Sequence, residues 1–192
     1  MDAQPRRRFL VTAASAAAAF VIAGCDSNKK AARRTVPDPT VVPAAFGNVI
    51  DAGPLEDVLA KIDVDDAPQY LPEARAYVAR FPADQVDAAK EHYPAAVHPA
   101  LDAGVVVLYQ RCTHLGCRTP WCSTSHWFEC PCHGAKFDQV GEKRAGPAPR
   151  GLDLMPASVR DAHLMIDTGS IVKGMPIGTN TTHQDPAGPF CV

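Results

Sequence analysis

The pattern of apolar and polar positions divides the chain into stretches of different character. Residues 9–24 form a nearly unbroken apolar, alanine-heavy run behind Arg6-Arg7-Arg8. Residues 26–45 are polar and then proline-bearing, with Pro37, Pro39 and Pro43, a composition that predicts an extended, semi-rigid tether. From Phe46 onward short apolar segments are broken by Gly, Pro, Asp and Ser. Within that part, 48–51 reads as a strand and Gly53-Pro54 as a turn, and Leu55, Val58, Leu59 and Ile62 recur at helical spacing. Strands are predicted over 76–79 and 105–109, the latter buried, and a short helix over 84–92, closed by Pro94. Further strands are predicted over 127–129, 136–138, 157–160, 163–167 and 171–173. Many short strands with turn signals between them predict an all-β fold with short helices, arranged as an antiparallel sandwich or barrel. No internal repeat is visible, and residues 63–103 carry no motif.

Candidate chemistry is concentrated between two boxes, Cys112-Thr113-His114-Leu115-Gly116-Cys117 and Cys130-Pro131-Cys132-His133-Gly134. Each box supplies one thiolate and one imidazole: Cys112 with His114, and Cys130 with His133. Two Cys and two His suit a 2Fe-2S centre with both Cys on one iron and both His on the other. They also suit tetrahedral zinc in a structural domain. Zinc pairs usually unite like with like, as C-x(2-4)-C and H-x(3-5)-H, whereas here every pair mixes Cys with His.

The wording of the two boxes resembles the Rieske iron-sulfur proteins, in particular the branch found in cytochrome bc and bf quinol-oxidising complexes. The resemblance implies a Rieske-type antiparallel β sandwich, residues 46–174, with a small inserted cluster-binding subdomain at about 110–151. It implies one 2Fe-2S cluster held by Cys112, His114, Cys130 and His133, and a disulfide from Cys117 to Cys132. Gly146-Pro147-Ala148-Pro149-Arg150-Gly151 resembles the family's proline loop, a third wall in which Gly146, Pro147 and Pro149 shield the cluster together with Leu115. His133 is the imidazole that the family turns toward quinol, with His114 as the other titrating ligand. Where high-potential relatives read C-H-G-S-x-Y, this chain has Ala135 and Phe137, so two hydroxyl donors to cluster sulfur are absent and a low potential, matched to menaquinol, is expected. The implied activity is electron and proton uptake from quinol and delivery to a c-type cytochrome, with cytochrome b-type and cytochrome c-type subunits as partners. A free-standing exported carrier, or the small subunit of another periplasmic oxidoreductase, is the alternative.

Targeting signals and charge agree with an exported redox protein. Arg-Arg-x-Phe-Leu at 6–10 resembles a twin-arginine signal, a route for proteins exported already folded. Ile22-Ala23-Gly24-Cys25 resembles a lipobox with Cys25 as the lipidated residue. The apolar run of sixteen residues is slightly short of the roughly 17 to 25 that span a bilayer, which favours a cleaved signal over an uncleaved helix. Either anchor, in residues 1–24 or at Cys25, places the domain on the outer face of the cytoplasmic membrane. A formal net charge of -2 on 192 residues implies no nucleic-acid partner and leaves no room for the mononuclear iron domain of an oxygenase. Of seven cysteines, Cys122 and Cys191 remain unassigned. In an oxidising compartment leftover cysteines tend to pair, so a second bridge is expected, strapping the tail at 175–192 across the cluster subdomain; two free thiols are the alternative. Trp121, Trp127 and Phe128 are expected to pack the loops, and His92, His98, His126, His163 and His183 to be surface or core residues.

Overall fold

The computed structural model describes residues 41–43 and 47–192. The signal-like run, Cys25, most of the tether and the expected domain start at Phe46 lie outside the described residues. Among those residues every strand pairing is antiparallel, and no helix is long and apolar enough to cross a membrane.

The centre of the molecule is the pair β4 (Ala76–Arg80) and β5 (Val105–Tyr109), flanked by β3 (Gln69–Leu71). Both central strands are apolar without alternation because both faces are covered. Side chains alternate across a strand, so Tyr77, Ala79, Val106 and Leu108 enter one core, while Ala76, Val78, Val105 and Val107 enter another. Leu154 extends this sheet by bridging Leu108 to Val172 of β12 (Ser170–Val172), and β12 pairs with β1 (Val41–Pro43).

The second core is closed by the sheet β10 (Ala157–Arg160), β11 (His163–Asp167) and β2 (Val49–Pro54), and by helix α1 (Leu55–Asp65). Val58 and Ile62, one helical turn apart, are the buried positions of α1. Glu56 and Asp57 sit in its first turn, where carboxylates favour the positive end of the helix dipole. The helix ends at Asp66 in the left-handed conformation.

The first core is covered by short helices α2 (Val86–Lys90) and α3 (His98–Asp102) and by an inserted four-stranded sheet. That sheet runs β6 (Trp121–Cys122), β7 (Trp127–Glu129), β8 (Lys136–Phe137) and β9 (Lys143–Ala145). The architecture is thus an antiparallel β fold with few short helices and a small subdomain inserted between β5 and β10.

Several elements differ from the sequence-based expectation for physical reasons. Gly53-Pro54 is no turn: β2 continues through both, Gly53 takes φ +97°, and α1 starts at the next residue. The helix expected over 84–92 is a single 3-10 turn at Ala83–Gln85 followed by α2. Asp138 leaves β8 because its carboxylate turns back onto the N–H groups of Val140 and Glu142, 3.1 and 2.9 Å away. Residues 63–103, silent as motif, supply Phe81, Tyr93, Val97 and Leu101 to the core beneath the insert. Met175, Thr181 and Thr182 of the tail are buried as well.

Candidate metal centre

The two boxes fold into the same backbone loop. In the first, Cys112 N–H donates to the Cys117 carbonyl (2.7 Å) and Gly116 N–H donates to the Cys112 carbonyl (2.8 Å). In the second, Cys130 N–H donates to the Ala135 carbonyl (2.8 Å) and Gly134 N–H to the Cys130 carbonyl (3.0 Å). The glycine at the fifth position of each loop has positive φ, +81° at Gly116 and +69° at Gly134, a conformation in which a Cβ is strained. The first loop leaves β5, and the second joins β7 to β8, so strands anchored in the core aim both.

Cys112 and Cys130 are buried free thiols. Burial pushes the Cys112 thiol up, the backbone N–H groups of His114 and Leu115 oppose this, and Cys130 alongside raises it further. The rings of His114 and His133 meet edge to face with centroids 4.9 Å apart. His114 is half-buried and its Nδ1 is buried without a hydrogen-bond partner, whereas His133 is exposed. The Cys130 sulfur lies within 4.8 Å of the sulfurs of Cys117 and Cys132, which are bonded to each other with Cα atoms 6.6 Å apart. That bridge ties the loops together and removes both of its sulfurs from the ligand set.

The segment from Gly146 to Gly151 packs against both boxes. A Cβ on Gly146, at φ +79°, would lie 2.6 Å from the Gly134 carbonyl oxygen and 2.9 Å from the Ala135 nitrogen. On the other side, Thr113 Oγ1 donates to the Arg150 carbonyl (2.9 Å). Arg150 is itself held by Asp153 through Nε and Nη2, both at 2.8 Å. Ala148 is buried beneath the loop while Pro147 and Pro149 face solvent. Leu115 is 72% exposed beside His114, and Ala135 and Phe137 are fully buried.

A family model for the Rieske [2Fe-2S] domain matches residues 75–156. The chain carries a Rieske domain. Curated relatives of this Rieske domain include the cytochrome b6-f complex iron-sulfur subunit of Synechococcus elongatus, 50% identical over 50 residues, which are 26% of this chain and 28% of the relative. Iron-sulfur subunit 2 of the cytochrome b6-f complex of Trichormus variabilis is 41% identical over 61 residues, 32% of this chain and 34% of the relative. The match therefore spans about a third of the length of the curated relatives. Among solved structures, a plasma membrane Rieske protein from Synechocystis aligns with TM-score 0.40 at 21% identity, over 61% of this chain and 97% of that one.

The cofactor of the Rieske domain is one 2Fe-2S cluster. The residues present fit it: two buried thiols outside any disulfide, side by side, and a buried imidazole nitrogen with no hydrogen bond to lose are the donor types such a cluster takes. Three of the remaining five histidines are engaged elsewhere, and His92 and His183 are exposed. The His98 ring contacts the Tyr93 carbonyl, His163 the Asp51 carboxylate, and His126 lies 3.6 Å from Asp66.

Of three features of the site, the first was read from sequence and the other two were not. Cys122 and Cys191 are bonded with Cα atoms 5.9 Å apart, the pairing expected from the cysteine count, but its consequence for the neighbouring strand was not foreseen. Glu129, next to Cys130, is 1% exposed. Thr113 ties the first box to the proline loop. An acidic residue inside an aromatic strand, Trp127-Phe128-Glu129, was the available signal for the second of these.

Proposed function

We propose that this domain is the electron-transfer module of a quinol-oxidising complex, with Cys112 and Cys130 as ligands of one iron and His114 and His133 as ligands of the other. When bound, the cluster supplies a one-electron couple whose potential two imidazoles raise relative to all-cysteine ligation. The observation that carries the reading is the unequal exposure of two histidines whose rings touch: His114 is half-buried and His133 is exposed. His133 is thus the ligand that can accept a hydrogen bond from a quinol hydroxyl and take up its proton. The Cys117–Cys132 bridge and the Gly146–Gly151 segment keep the two boxes in register around it and hold bulk water away from the buried thiols.

Reduction adds negative charge to cluster sulfur, and hydroxyl donors aimed there favour the reduced form. Neither Ala135 nor Phe137 carries one. If each charge-assisted bond contributes about 1.5 to 3 kcal/mol and only part of that differs between redox states, two missing donors lower the midpoint by roughly 100 to 200 mV. This supports menaquinol rather than ubiquinol as donor. The cytochrome b-type and cytochrome c-type partners follow from the bf-type relatives, and an outer-face location with an N-terminal anchor, at Cys25 or through residues 1–24, follows from the export-like signal.

The test is equilibration of purified holoprotein with menaquinol and with ubiquinol at pH 7, followed by EPR of the reduced cluster. Reduction by menaquinol, little by ubiquinol, and a rhombic two-histidine 2Fe-2S spectrum are expected. Full reduction by ubiquinol would reject the low-potential assignment, and bound zinc without that spectrum would reject the iron ligation.

A further inference from the structure

We propose that Glu129 sets the potential of the cluster, and that residues 187–192 are the element that keeps its charge buried beside the site. The proposal rests on Cys130 being an iron ligand. Glu129 directly precedes Cys130 and is 1% exposed. Strand alternation sends Phe128 and Cys130 into the core and Glu129 to the opposite face of β7.

That face is covered by the tail. Glu129 Oε1 accepts from Ser125 Oγ (2.6 Å), and Oε2 accepts from the backbone N–H groups of Cys191 (2.9 Å) and Val192 (2.8 Å). Every partner is a donor, the environment an ionised carboxylate takes. Among the described residues no cation lies within ion-pair distance of it. Lys136, its cross-strand partner, is turned to the Val192 carbonyl oxygen (2.7 Å) and lies 4.7 Å from the Phe190 ring centre.

The tail is fastened by contacts independent of Glu129. Cys191 is bonded to Cys122, Ala187 N–H donates to the Ser125 carbonyl (2.8 Å), and Thr124 Oγ1 donates to the Pro189 carbonyl (2.6 Å). Phe190 packs on Trp127 with ring centres 5.6 Å apart. At Gly188 a Cβ would come 2.8 Å from the Thr124 carbonyl oxygen, so only glycine allows the chain to lie this close.

A charge without an ion-pair partner, one residue from a cluster ligand and out of water, is weakly screened. It disfavours the state that carries an additional electron, so Glu129 lowers the midpoint. The hydroxyl of Ser125 and the two tail N–H groups draw off part of its field and limit that lowering. Glu129 therefore acts as a positioning and charge-setting residue, through Cys130, without touching quinol.

Two substitutions in the full-length holoprotein move the potential in opposite directions. Glu129→Gln should raise the midpoint measured by film voltammetry, and Ser125→Ala should lower it, with the reduced-state EPR spectrum of the wild type retained in both. Loss of packing alone would lower thermal stability in each variant without this opposition. A Glu129→Gln midpoint at or below that of the wild type, or a Ser125→Ala midpoint at or above it, overturns the proposal. If Glu129→Gln does not fold, Ser125→Ala decides by itself. Wild-type protein without a two-histidine spectrum would instead overturn the ligand assignment and this proposal with it, whereas unmoved midpoints in protein that shows the spectrum overturn the role of Glu129 alone.

Discussion

Gly146 and Ala135 are in backbone contact: a Cβ on Gly146 would stand 2.6 Å from the Ala135 Cα. One residue belongs to the proline-rich segment and the other closes the hydrogen-bonded loop of the second box. A side chain at Gly146 is excluded twice, by this approach and by φ +79°. Gly146→Ala is therefore expected to lift the segment from the box, at a cost of about 1 to 3 kcal/mol from strain. Iron per purified chain and the thermal midpoint should both fall. A variant with full iron content and wild-type stability would show that the segment does not seal the site.

Removing the Cys117–Cys132 bridge should cost more than its exposure implies. The cysteines are 15 residues apart, and closing a loop of that length stabilises the folded chain by about 3 kcal/mol on the chain-entropy model. The paired substitution Cys117→Ser with Cys132→Ser should lower the urea midpoint of the apoprotein accordingly. The bridge also joins the two boxes, so cluster absorbance should bleach faster in the variant under air. Equal bleaching rates would confine the bridge to folding.

Donors restored near the second box should raise the potential. Ala135→Ser and Phe137→Tyr each return one hydroxyl, and each is expected to shift the midpoint upward by some tens of millivolts, part of the roughly 100 to 200 mV assigned to both. Both positions are fully buried, so their thermal midpoints must be measured alongside. A potential unchanged in both, with the fold intact, would mean that backbone N–H groups already saturate the sulfurs.

Arg144 holds two buried carboxylates. It is paired with Asp138 and, at 3.3 Å, with Glu142, which also accepts from Tyr93 Oη (2.9 Å) and Thr181 Oγ1 (2.6 Å). Burial pushes the Asp138 carboxyl up to about 7, Arg144 opposing and the charge of Glu142 adding to the rise. The folded chain thus binds this proton more tightly than the unfolded chain does. The resulting contribution is greatest below the ordinary carboxyl range, near 4, and is lost as pH rises to about 7. Arg144→Leu removes the opposing cation and should cost about 3 to 5 kcal/mol at pH 8, with a smaller loss at pH 5. Urea midpoints at the two pH values measure this, and an equal loss at both would reject the account.

Local order along the chain determined the candidate ligand set and the loops that present it. Each box is a closed turn whose hydrogen bonds span four or five residues, as from Cys130 to Gly134 and Ala135, so residue type and spacing suffice to specify it. The apolar runs at 76–79 and 105–109 likewise foretold strands, the second of them buried; that both faces are covered only the fold shows. What only tertiary structure decided depends on contacts between distant positions. The seat of Gly146 on Ala135, the exposure of His133 against the half-burial of His114, and the burial of Glu129 under residues 62 and 63 positions further on are of this kind. An acidic side chain in a strand reads as a solvent-facing position by alternation. It becomes buried only because a disulfide and two backbone N–H groups, brought from the far end of the described chain, meet it where water would have been.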